Sequence, residues 1–460
     1  MTSFVGIQEQ TIIAQCTPQG SGALALLRLS GTQSWIIAEQ LSRLSSNKKF
    51  SELASHTVHH GFVLKTDGQD LDEVMFITMR GPKTFTGEDV VEITCHNNPL
   101  IIHQLIQHAC ILGARIAEPG EFSRRAVSHG KIDLTQAEAI YDLIHAQTEQ
   151  ALKHSLAQVK GSLSQWSLQL ETELIALLAW CEASFEFLDE GGDFADELRM
   201  RLQNIINAIH EAQRGFNAES LVRQGMRIAL IGSVNAGKSS LFNALLGRNR
   251  AIVTPIAGTT RDSIEAIITR DGVTYTLVDT AGLRSTDDVI EQEGIDRSLN
   301  EAAFADLILI VIDQARVMTE SELKIYSELC TTYKEKHLVI FNKSDLLKQA
   351  DFDCASQCIS ISTQTKQGIS DLEQYLNEWY VNAIAQHASP HLLTKRQRTV
   401  LDNVLQKLKV VEDLLQHSHV SYEIVSYHLR DVLEQLTELT GKSVTEAGLN
   451  QVFKQFCVGK

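Results

Sequence analysis

The chain has 460 residues, 43% of them hydrophobic, and a formal net charge of −16 at neutral pH. This length and composition are typical of a folded protein with about three domains, each able to bury a core. The negative charge argues against a protein that binds nucleic acid by net charge alone, because phosphate contacts need clustered Lys and Arg. We therefore expect any contact with RNA to be local or shared with a partner.

The N-terminus and the cysteines argue against further classes. The sequence has no apolar run of about 18 residues, and its first residues lack the basic and apolar regions of a secretory signal. We expect a cytoplasmic protein that does not enter a membrane. The eight cysteines include no C-x-x-C pair, which argues against a zinc ribbon and against a disulfide framework.

Residues 1–120 are predicted to form an α+β domain, because short β-rich runs at 23–29, 74–79 and 90–95 are separated by turn clusters. Residues 121–223 and 388–460 instead show apolar residues at helical spacing, and no proline lies between 120 and 254. These two stretches predict the two parts of a helical-bundle domain that flank the middle of the chain.

Residues 224–387 are predicted to form a domain inserted into the helical one. Apolar runs such as I-A-L-I-G, Y-T-L-V-D-T and L-I-L-I-V-I-D alternate with helical stretches. This alternation is typical of a doubly wound, mainly parallel sheet. The predicted fold class is therefore a multidomain α/β and α protein.

The inserted domain contains a phosphate-binding motif, since Gly232–Ser239 matches G-x-x-x-x-G-K-[ST] between an apolar strand and a helix. Its glycines let backbone N–H groups turn toward phosphate, and the helix N-terminus adds its dipole. Lys238 is predicted to meet the β- and γ-phosphates, and Ser239 to bind Mg²⁺. The nucleotide contacts of this loop are assigned to Asn235, Ala236, Gly237, Lys238, Ser239 and Ser240.

Two further segments are candidates for the Mg²⁺ side of the nucleotide. Thr260, in G-T-T-R-D, is predicted to bind Mg²⁺, although a Thr-rich turn also explains this segment. Asp279 closes an apolar strand and begins D-T-A-G, which places Thr280, Ala281 and Gly282 beside the γ-phosphate. An ordinary strand-end aspartate is the alternative interpretation of Asp279.

The segment N-K-S-D, residues Asn342, Lys343, Ser344 and Asp345, is predicted to read the base. The Asp345 carboxylate accepts from the N1–H and the exocyclic amine of guanine, and adenine lacks this donor pair. The site is therefore expected to prefer GTP over ATP. Ser362, Thr363 and Gln364 follow the next apolar run and are assigned to support of the base, although a plain turn fits them equally well.

The group that assists hydrolysis is not defined by these motifs. Leu283 follows D-T-A-G, where many small GTPases have the Gln that orients water. Either hydrolysis is intrinsically slow, or a carboxylate from the acidic run at 287–293 takes this part. A solvated acidic helix is the more common explanation of such a run.

The full length of the chain resembles the MnmE (TrmE) family of bacterial and organellar tRNA-modification GTPases. The resemblance rests on A-Q-C-T-P-Q-G-S-G-A-L-A-L-L-R-L-S-G, T-G-E-D-V-V-E-I-T-C-H, P-G-E-F-S-R-R-A-V-S-H-G-K-I-D-L-T-Q-A-E-A-I, A-G-T-T-R-D, D-T-A-G-L-R and the terminal F-C-V-G-K. It implies a homodimer that works with the FAD-containing partner MnmG. Together they install an aminomethyl-type or carboxymethylaminomethyl group at C5 of the wobble uridine of certain tRNAs.

The resemblance also implies a folate site and a potassium site. The N-terminal domain resembles a domain that binds 5-formyltetrahydrofolate or a related folate, with Arg28, Glu92, Lys131 and Lys460 at the matching positions; without the family, the first three are surface or strand-edge charges. The G domains of the family pair around K⁺. The matching K⁺ ligands are Asn235, through its side-chain oxygen, and the carbonyls of Thr254, Ile256 and Thr259, in a loop whose nucleotide contacts also include Pro255, Ala257, Gly258 and Thr260.

Two catalytic roles follow from the same resemblance. The water-positioning carboxylate of the family falls on Glu291, and the terminal cysteine falls on Cys457, which is implied to matter for tRNA modification and not for hydrolysis. The chain departs from the family at Pro255, which replaces an acidic residue, and at Asn97-Asn98, which replace Gly-Gly. A GTPase switch for another RNA process, such as ribosome assembly, and a nucleotide-controlled dimeric scaffold are the competing hypotheses.

Overall fold

The computed structural model describes residues 10–183, 194–213, 219–247, 264–270, 273–279, 301–334, 336–352, 357–386, 391–417 and 420–459. The chain divides into two compact units. The first comprises Met1–Tyr141, Gln158–Ile205 and Thr399–Lys460, and the second comprises Asp142–Ala157 and Ile206–Arg398. These limits do not coincide with the predicted domain limits, which stay a prediction.

A seven-stranded sheet forms the N-terminal part of the first unit, in the order β3-β4-β5-β6-β2-β1-β7. Its strands are β1 (Ile12–Gln15), β2 (Leu24–Ser30), β3 (Ser42–Leu44), β4 (Thr57–Leu64), β5 (Asp70–Met79), β6 (Val90–His96) and β7 (Arg115–Ile116). β1 and β7 pair in parallel, and the other neighbours pair antiparallel. Helices α1 (Ser34–Gln40) and α2 (Pro99–Ile111), with a 3₁₀ turn at Phe50–Glu52, complete the α+β arrangement.

Alternation along the central strands places the core on one face of this sheet. Leu27 and Leu29 of β2, Ile93 of β6 and Phe76 of β5 are fully buried and belong to one hydrophobic cluster. Residues between them face the other side, as the period of a strand requires. Arg28 and Glu92 lie on that opposite face, directly across from each other in the β2–β6 pairing.

The helical prediction is confirmed. The helices are α3 (Glu121–Ser128), α4 (Leu134–His145), α5 (Glu149–Val159), α6 (Ser162–Ala183), α7 (Phe194–Gln213), α8 (Glu219–Gln224), α12 (Lys395–Gln416), α13 (Tyr422–Thr440) and α14 (Glu446–Phe453). In the first unit α6 packs along α13. An ion pair of 2.7 Å between Lys442 and Glu171 joins the end of α13 to α6.

The second unit contains a six-stranded sheet, in the order β13-β12-β11-β8-β10-β9. Its elements are β8 (Met226–Ile231), α9 (Lys238–Leu246), β9 (Ile264–Arg270), β10 (Val273–Asp279), β11 (Leu307–Asp313), α10 (Glu320–Thr332), β12 (His337–Asn342), β13 (Cys358–Ser360) and α11 (Ile369–Gln386). Only β9 runs antiparallel to its neighbour among these strands. The carboxyl ends of β8, β10, β11 and β12 therefore meet at one edge, where open α/β sheets bind ligands.

The C-terminal segment of the chain contacts the end of β1 and the residue before α3 in the first unit. The backbone N–H of Gly120 donates to the Cys457 carbonyl at 3.2 Å. Gly120 has φ 67°, and a Cβ there would lie 2.7 Å from the Phe453 carbonyl oxygen. A Cβ at Gly459 would lie 2.4 Å from the Gln15 carbonyl oxygen. The F-C-V-G segment therefore approaches the N-terminal domain too closely for side chains at these two positions.

We predict that Gly120→Ala lowers the free energy of unfolding by about 1–3 kcal/mol more than Gly130→Ala does, because the C-terminal backbone must shift. Gly130 is the matched control, since it has φ 63° but open space around its Cβ position. Both variants lose about 1 kcal/mol or more to the left-handed backbone. Urea unfolding of the full chain measures both, and equal losses would contradict the close packing of Gly120.

Candidate nucleotide-binding site

The phosphate-binding loop connects β8 to α9 at the carboxyl edge of the second sheet. Gly232 follows β8 directly, and a Cβ there would lie 2.3 Å from the Val311 carbonyl oxygen. Asn235 has φ 62°, and Gly237 has φ 94° and caps α9. The N–H groups in the first turn of a helix have no partner inside the helix and face an anion at its N-terminus. The loop thus has the backbone shape that its sequence predicts.

Lys238 is buried at the start of α9, with 6% of its surface exposed. Its Nζ donates to the carbonyls of Gly232 at 2.6 Å and Ser233 at 2.8 Å, so the side chain folds over the loop. Ser239 follows it in the first helical turn and is half-buried. The ammonium group is therefore held against the carbonyls of the loop, and its predicted contact with phosphate stays a prediction.

The side chain of Asn342 joins this loop to the base-reading segment. Asn342 is fully buried at the end of β12. Its Nδ2 donates to the Ala236 carbonyl at 2.9 Å, and its Oδ1 accepts from the backbone N–H groups of Lys343 at 2.8 Å and Thr363 at 3.4 Å. A Cβ at Gly237 would lie 2.1 Å from Asn342 Nδ2, so the glycine is needed for this contact.

The base-reading segment is held by the residues that directly follow β13. Asp345 Oδ1 accepts from the Ser362 hydroxyl at 2.5 Å, and the N–H of Ser344 donates to the Ile361 carbonyl at 3.0 Å. Ser362 is fully buried, and its hydroxyl also accepts from the N–H of Thr365 at 3.1 Å. The structure therefore brings N-K-S-D into contact with Ser362 and Thr363. The sequence motifs, taken separately, did not establish this contact.

Lys343 contacts a residue that the sequence analysis did not select. It has φ 64°, and its Nζ donates to Asp313 Oδ2 at 2.5 Å. Asp313 ends β11 opposite Asn342 in the parallel pairing of β11 with β12. The sequence does show an aspartate at the end of an apolar strand. It does not show that Lys343 is the partner of this aspartate, because that contact depends on the order of the strands in the sheet.

A second group of residues that the sequence alone did not indicate contacts Ser233 of the phosphate loop. The Ser233 hydroxyl accepts from Arg316 Nη2 at 2.7 Å, and the Ser233 N–H donates to the Tyr326 hydroxyl at 2.9 Å. Arg316 is also paired with Glu322, and this hydrogen bond lowers the pKa of the Glu322 carboxyl to about 2. In the sequence, the T-x-x-E pattern of Thr319 and Glu322 predicts where α10 begins, but it does not predict that Glu322 pairs with Arg316.

Several predicted site residues lie outside the described residues, and their assignments stay predictions. They are Thr254, Pro255, Ile256, Ala257, Gly258, Thr259, Thr260, Thr280, Ala281, Gly282, Glu291 and Lys460. The backbone of Asp279 is described, and it pairs with Leu230 at the carboxyl end of β10. Asp279 therefore lies at the same sheet edge as Gly232 and Asn342.

The predicted folate residues are only partly adjacent. Arg28 pairs with Glu92 Oε1, through Nη2 at 2.7 Å and Nε at 2.8 Å, and both side chains are mostly buried. The guanidinium also lies over the rings of Phe85 and Phe122, at 5.9 and 5.5 Å. Lys131 Nζ instead donates to the Pro82 carbonyl at 2.8 Å. Arg28 and Glu92 are thus one ion pair, and Lys131 contacts the loop that also carries Phe85.

The two asparagines that replace Gly-Gly in the family pattern fit without left-handed backbone. Asn98 has φ −111° and caps α2, accepting from the N–H of Leu100 at 2.9 Å. Asn97 Nδ2 donates to the Gly20 carbonyl at 2.8 Å. Neither is among the described residues with positive φ. A glycine is therefore not required at these positions for backbone conformation.

Two features are absent from the described part of the chain. Among the described residues no group of three or more His, Cys, Asp or Glu side chains is arranged to hold a metal ion. The predicted Mg²⁺ and K⁺ ligands are instead hydroxyl, amide and carbonyl oxygens, some of them outside those residues. No helix within the described ranges is long and apolar enough to cross a membrane.

The sheet, the phosphate loop and the N-K-S-D segment at its carboxyl edge define a P-loop protein with a G domain. Residues 134–457 match the family model described as the MnmE helical domain, and residues 11–131 match that of the GTP-binding protein TrmE N-terminus. The chain belongs to the MnmE family of tRNA modification GTPases.

Curated relatives match over nearly the whole chain. The tRNA modification GTPase MnmE of Aquifex aeolicus is 37% identical and covers 98% of this chain and 100% of its own length. The protein of the same name from Streptococcus gordonii is 36% identical, with 98% of both chains covered. That from Geobacillus thermodenitrificans is 36% identical, with 100% of both covered. The family membership therefore extends to all predicted domains.

The thiols of the first unit are expected to differ sharply in reactivity. Cys457 is exposed, whereas burial raises the pKa of Cys95 and of Cys181 to about 11. At about pH 8 only on the order of a thousandth of each buried thiol is ionised, and the thiolate is the nucleophile. We predict that iodoacetamide labels Cys457 in the folded chain and spares Cys95 and Cys181, as read by peptide mass spectrometry. Labelling in denaturant is the control, and equal labelling of all three in the folded chain would contradict the prediction.

Proposed function

We propose that the chain binds and hydrolyses GTP with Mg²⁺, and that it acts in the modification of tRNA. The observation that carries the proposal is the buried Asn342 side chain, which fixes the phosphate loop and the base-reading segment in one arrangement. A nucleotide is the ligand class that needs both at once. The names of the curated relatives, tRNA modification GTPase MnmE, support the GTP and tRNA parts of the proposal.

Each predicted residue has a separate part in binding. Asp345 accepts from the guanine N1–H and exocyclic amine, and the Ser362 hydroxyl holds its carboxylate in place. Lys238 neutralises phosphate charge inside the loop, and the N-terminus of α9 donates N–H groups to phosphate oxygens. Ser239, and by sequence Thr260, would hold Mg²⁺, which supplies charge neutralisation at the β- and γ-phosphates. Glu291 is proposed to position the attacking water.

The finer part of the hydrolysis proposal is a dependence on K⁺. Asn235 supports it, because this residue is exposed at the tip of the phosphate loop, where a second G domain would approach. Its amide oxygen, with the carbonyls of Thr254, Ile256 and Thr259, would form the oxygen set that an alkali cation needs. K⁺ bound there would replace an arginine finger when two copies of the G domain pair.

We predict that GTP turnover is at least about tenfold faster in KCl than in NaCl at equal ionic strength, by analogy with the loss of an arginine finger. Asn235→Gly abolishes the difference, because glycine keeps φ 62° without strain but lacks the oxygen. Val234→Ala is the matched control, since Val234 is 72% exposed in the same loop. Released phosphate measures turnover. Equal rates of the unaltered chain in both salts would contradict the K⁺ proposal.

The proposal for tRNA modification rests on the domains around the G domain. We propose a cytoplasmic homodimer that works with the flavoprotein MnmG and modifies C5 of the wobble uridine, with the predicted limits 1–120, 121–223, 224–387 and 388–460 for its domains. The N-terminal domain would bind a folate near the Arg28–Glu92 pair and Lys131. Cys457 supports this, because the exposed thiol lies in the segment seated on that domain.

A further inference from the structure

Ser233, the second residue of the phosphate loop, is held through every one of its polar groups. Its N–H donates to the Tyr326 hydroxyl at 2.9 Å, its hydroxyl accepts from Arg316 Nη2 at 2.7 Å, and its carbonyl accepts from Lys238 Nζ at 2.8 Å. Arg316 lies between β11 and α10, and Tyr326 lies in α10. The position of Ser233 is therefore set by residues that follow β11, and its carbonyl in turn holds the Lys238 ammonium group.

The Arg316 side chain that contacts Ser233 is also held by Glu322. Its Nη1 donates to Glu322 Oε2 at 3.0 Å, and its Nη2 donates to Glu322 Oε1. Glu322 Oε2 also accepts from the Thr319 N–H at 2.9 Å, in the capping box of α10. A bidentate pair anchored to a helix start holds a guanidinium in one orientation.

Tyr326 connects Ser233 to the hydrophobic core. Its ring is 4% exposed and packs edge-on against Phe352 at 6.3 Å, within the cluster on one face of the second sheet. The hydroxyl at its tip accepts from the Ser233 N–H. A buried ring whose hydroxyl contacts the loop is a rigid support, because its rotamer is fixed by packing.

We propose that Arg316 is a positioning residue for nucleotide binding, acting through the Ser233 hydroxyl to hold the phosphate loop and Lys238 in the shape that accepts phosphate. The proposal rests on GTP binding as proposed above. Without Arg316 the loop must be ordered when the nucleotide arrives, and that ordering weakens affinity. GDP and GTP are affected alike, because the phosphates that they share lie in this loop.

The test is the affinity of the full chain for fluorescent GDP and GTP analogues in Arg316→Ala, Ser233→Ala and the double variant. Arg316→Ala weakens both nucleotides about tenfold or more, the scale of one charge-assisted hydrogen bond. The double variant binds no more weakly than the weaker-binding single variant, because Arg316, Glu322 and the Ser233 hydroxyl belong to one hydrogen-bonded group. The ratio of turnover in KCl to that in NaCl stays that of the unaltered chain, since the proposed cation ligands are untouched.

Two variants separate positioning from general stability. Leu376→Ala opens a cavity under α11, in the hydrophobic cluster that does not include Tyr326, and it lowers the melting temperature with unchanged affinity. Glu320→Gln removes an exposed charge from the first turn of α10 and leaves both quantities unchanged. Should Arg316→Ala fail to fold, Ser233→Ala tests the same contact with the loss of one hydroxyl.

Two results would overturn the inference alone: unaltered affinity in Arg316→Ala and Ser233→Ala, or an equal loss of affinity in Leu376→Ala. In both cases the unaltered chain still binds GTP, and the proposed function stands. If the unaltered chain binds neither GDP nor GTP, the proposed function fails and the inference fails with it.

Discussion

The nucleotide site depends on one buried amide, the side chain of Asn342. It donates to the phosphate loop at Ala236 and accepts from the two segments that would surround a base, at Lys343 and Thr363. An unpaired buried amide is costly, so all three segments must keep this arrangement together. Gly237 follows from the same constraint, because a side chain there would occupy the place of the amide. The motifs are therefore parts of one hydrogen-bonded unit.

Support for that unit comes from the strand order of the sheet. β8, β11 and β12 are parallel neighbours, so Gly232, Asp313 and Asn342 leave the sheet at one edge. Asp313 pairs with Lys343 of the base-reading segment, while Arg316 and Tyr326 hold the phosphate loop at Ser233. Residues that need not touch the nucleotide therefore hold both segments of the site in place.

Motifs of adjacent residues predicted the phosphate loop and the base-reading segment. Contacts between residues far apart in the sequence were not predicted. The loop at 232–239 and the N-K-S-D segment are each defined by adjacent residues, and both lie where strands end. Arg316 was missed because 83 residues separate it from Ser233, and only the order of the strands brings them together. The resemblance assigned Arg28 and Glu92 to the folate site, but it did not indicate that they form one ion pair. Their alternating pattern is unchanged by a shift of two residues, so alternation alone does not predict the β2–β6 register.

The role proposed for the segment held by Asn342 is to read guanine. Its most direct test is the equilibrium affinity of the purified full chain for GTP and for ATP, measured in the same Mg²⁺ buffer by calorimetric titration. We expect GTP to bind at least about a hundredfold more tightly, because adenine leaves the Asp345 carboxylate without its donor pair. Equal affinity for the two nucleotides would contradict the guanine-reading role of Asp345 and, with it, the proposed function.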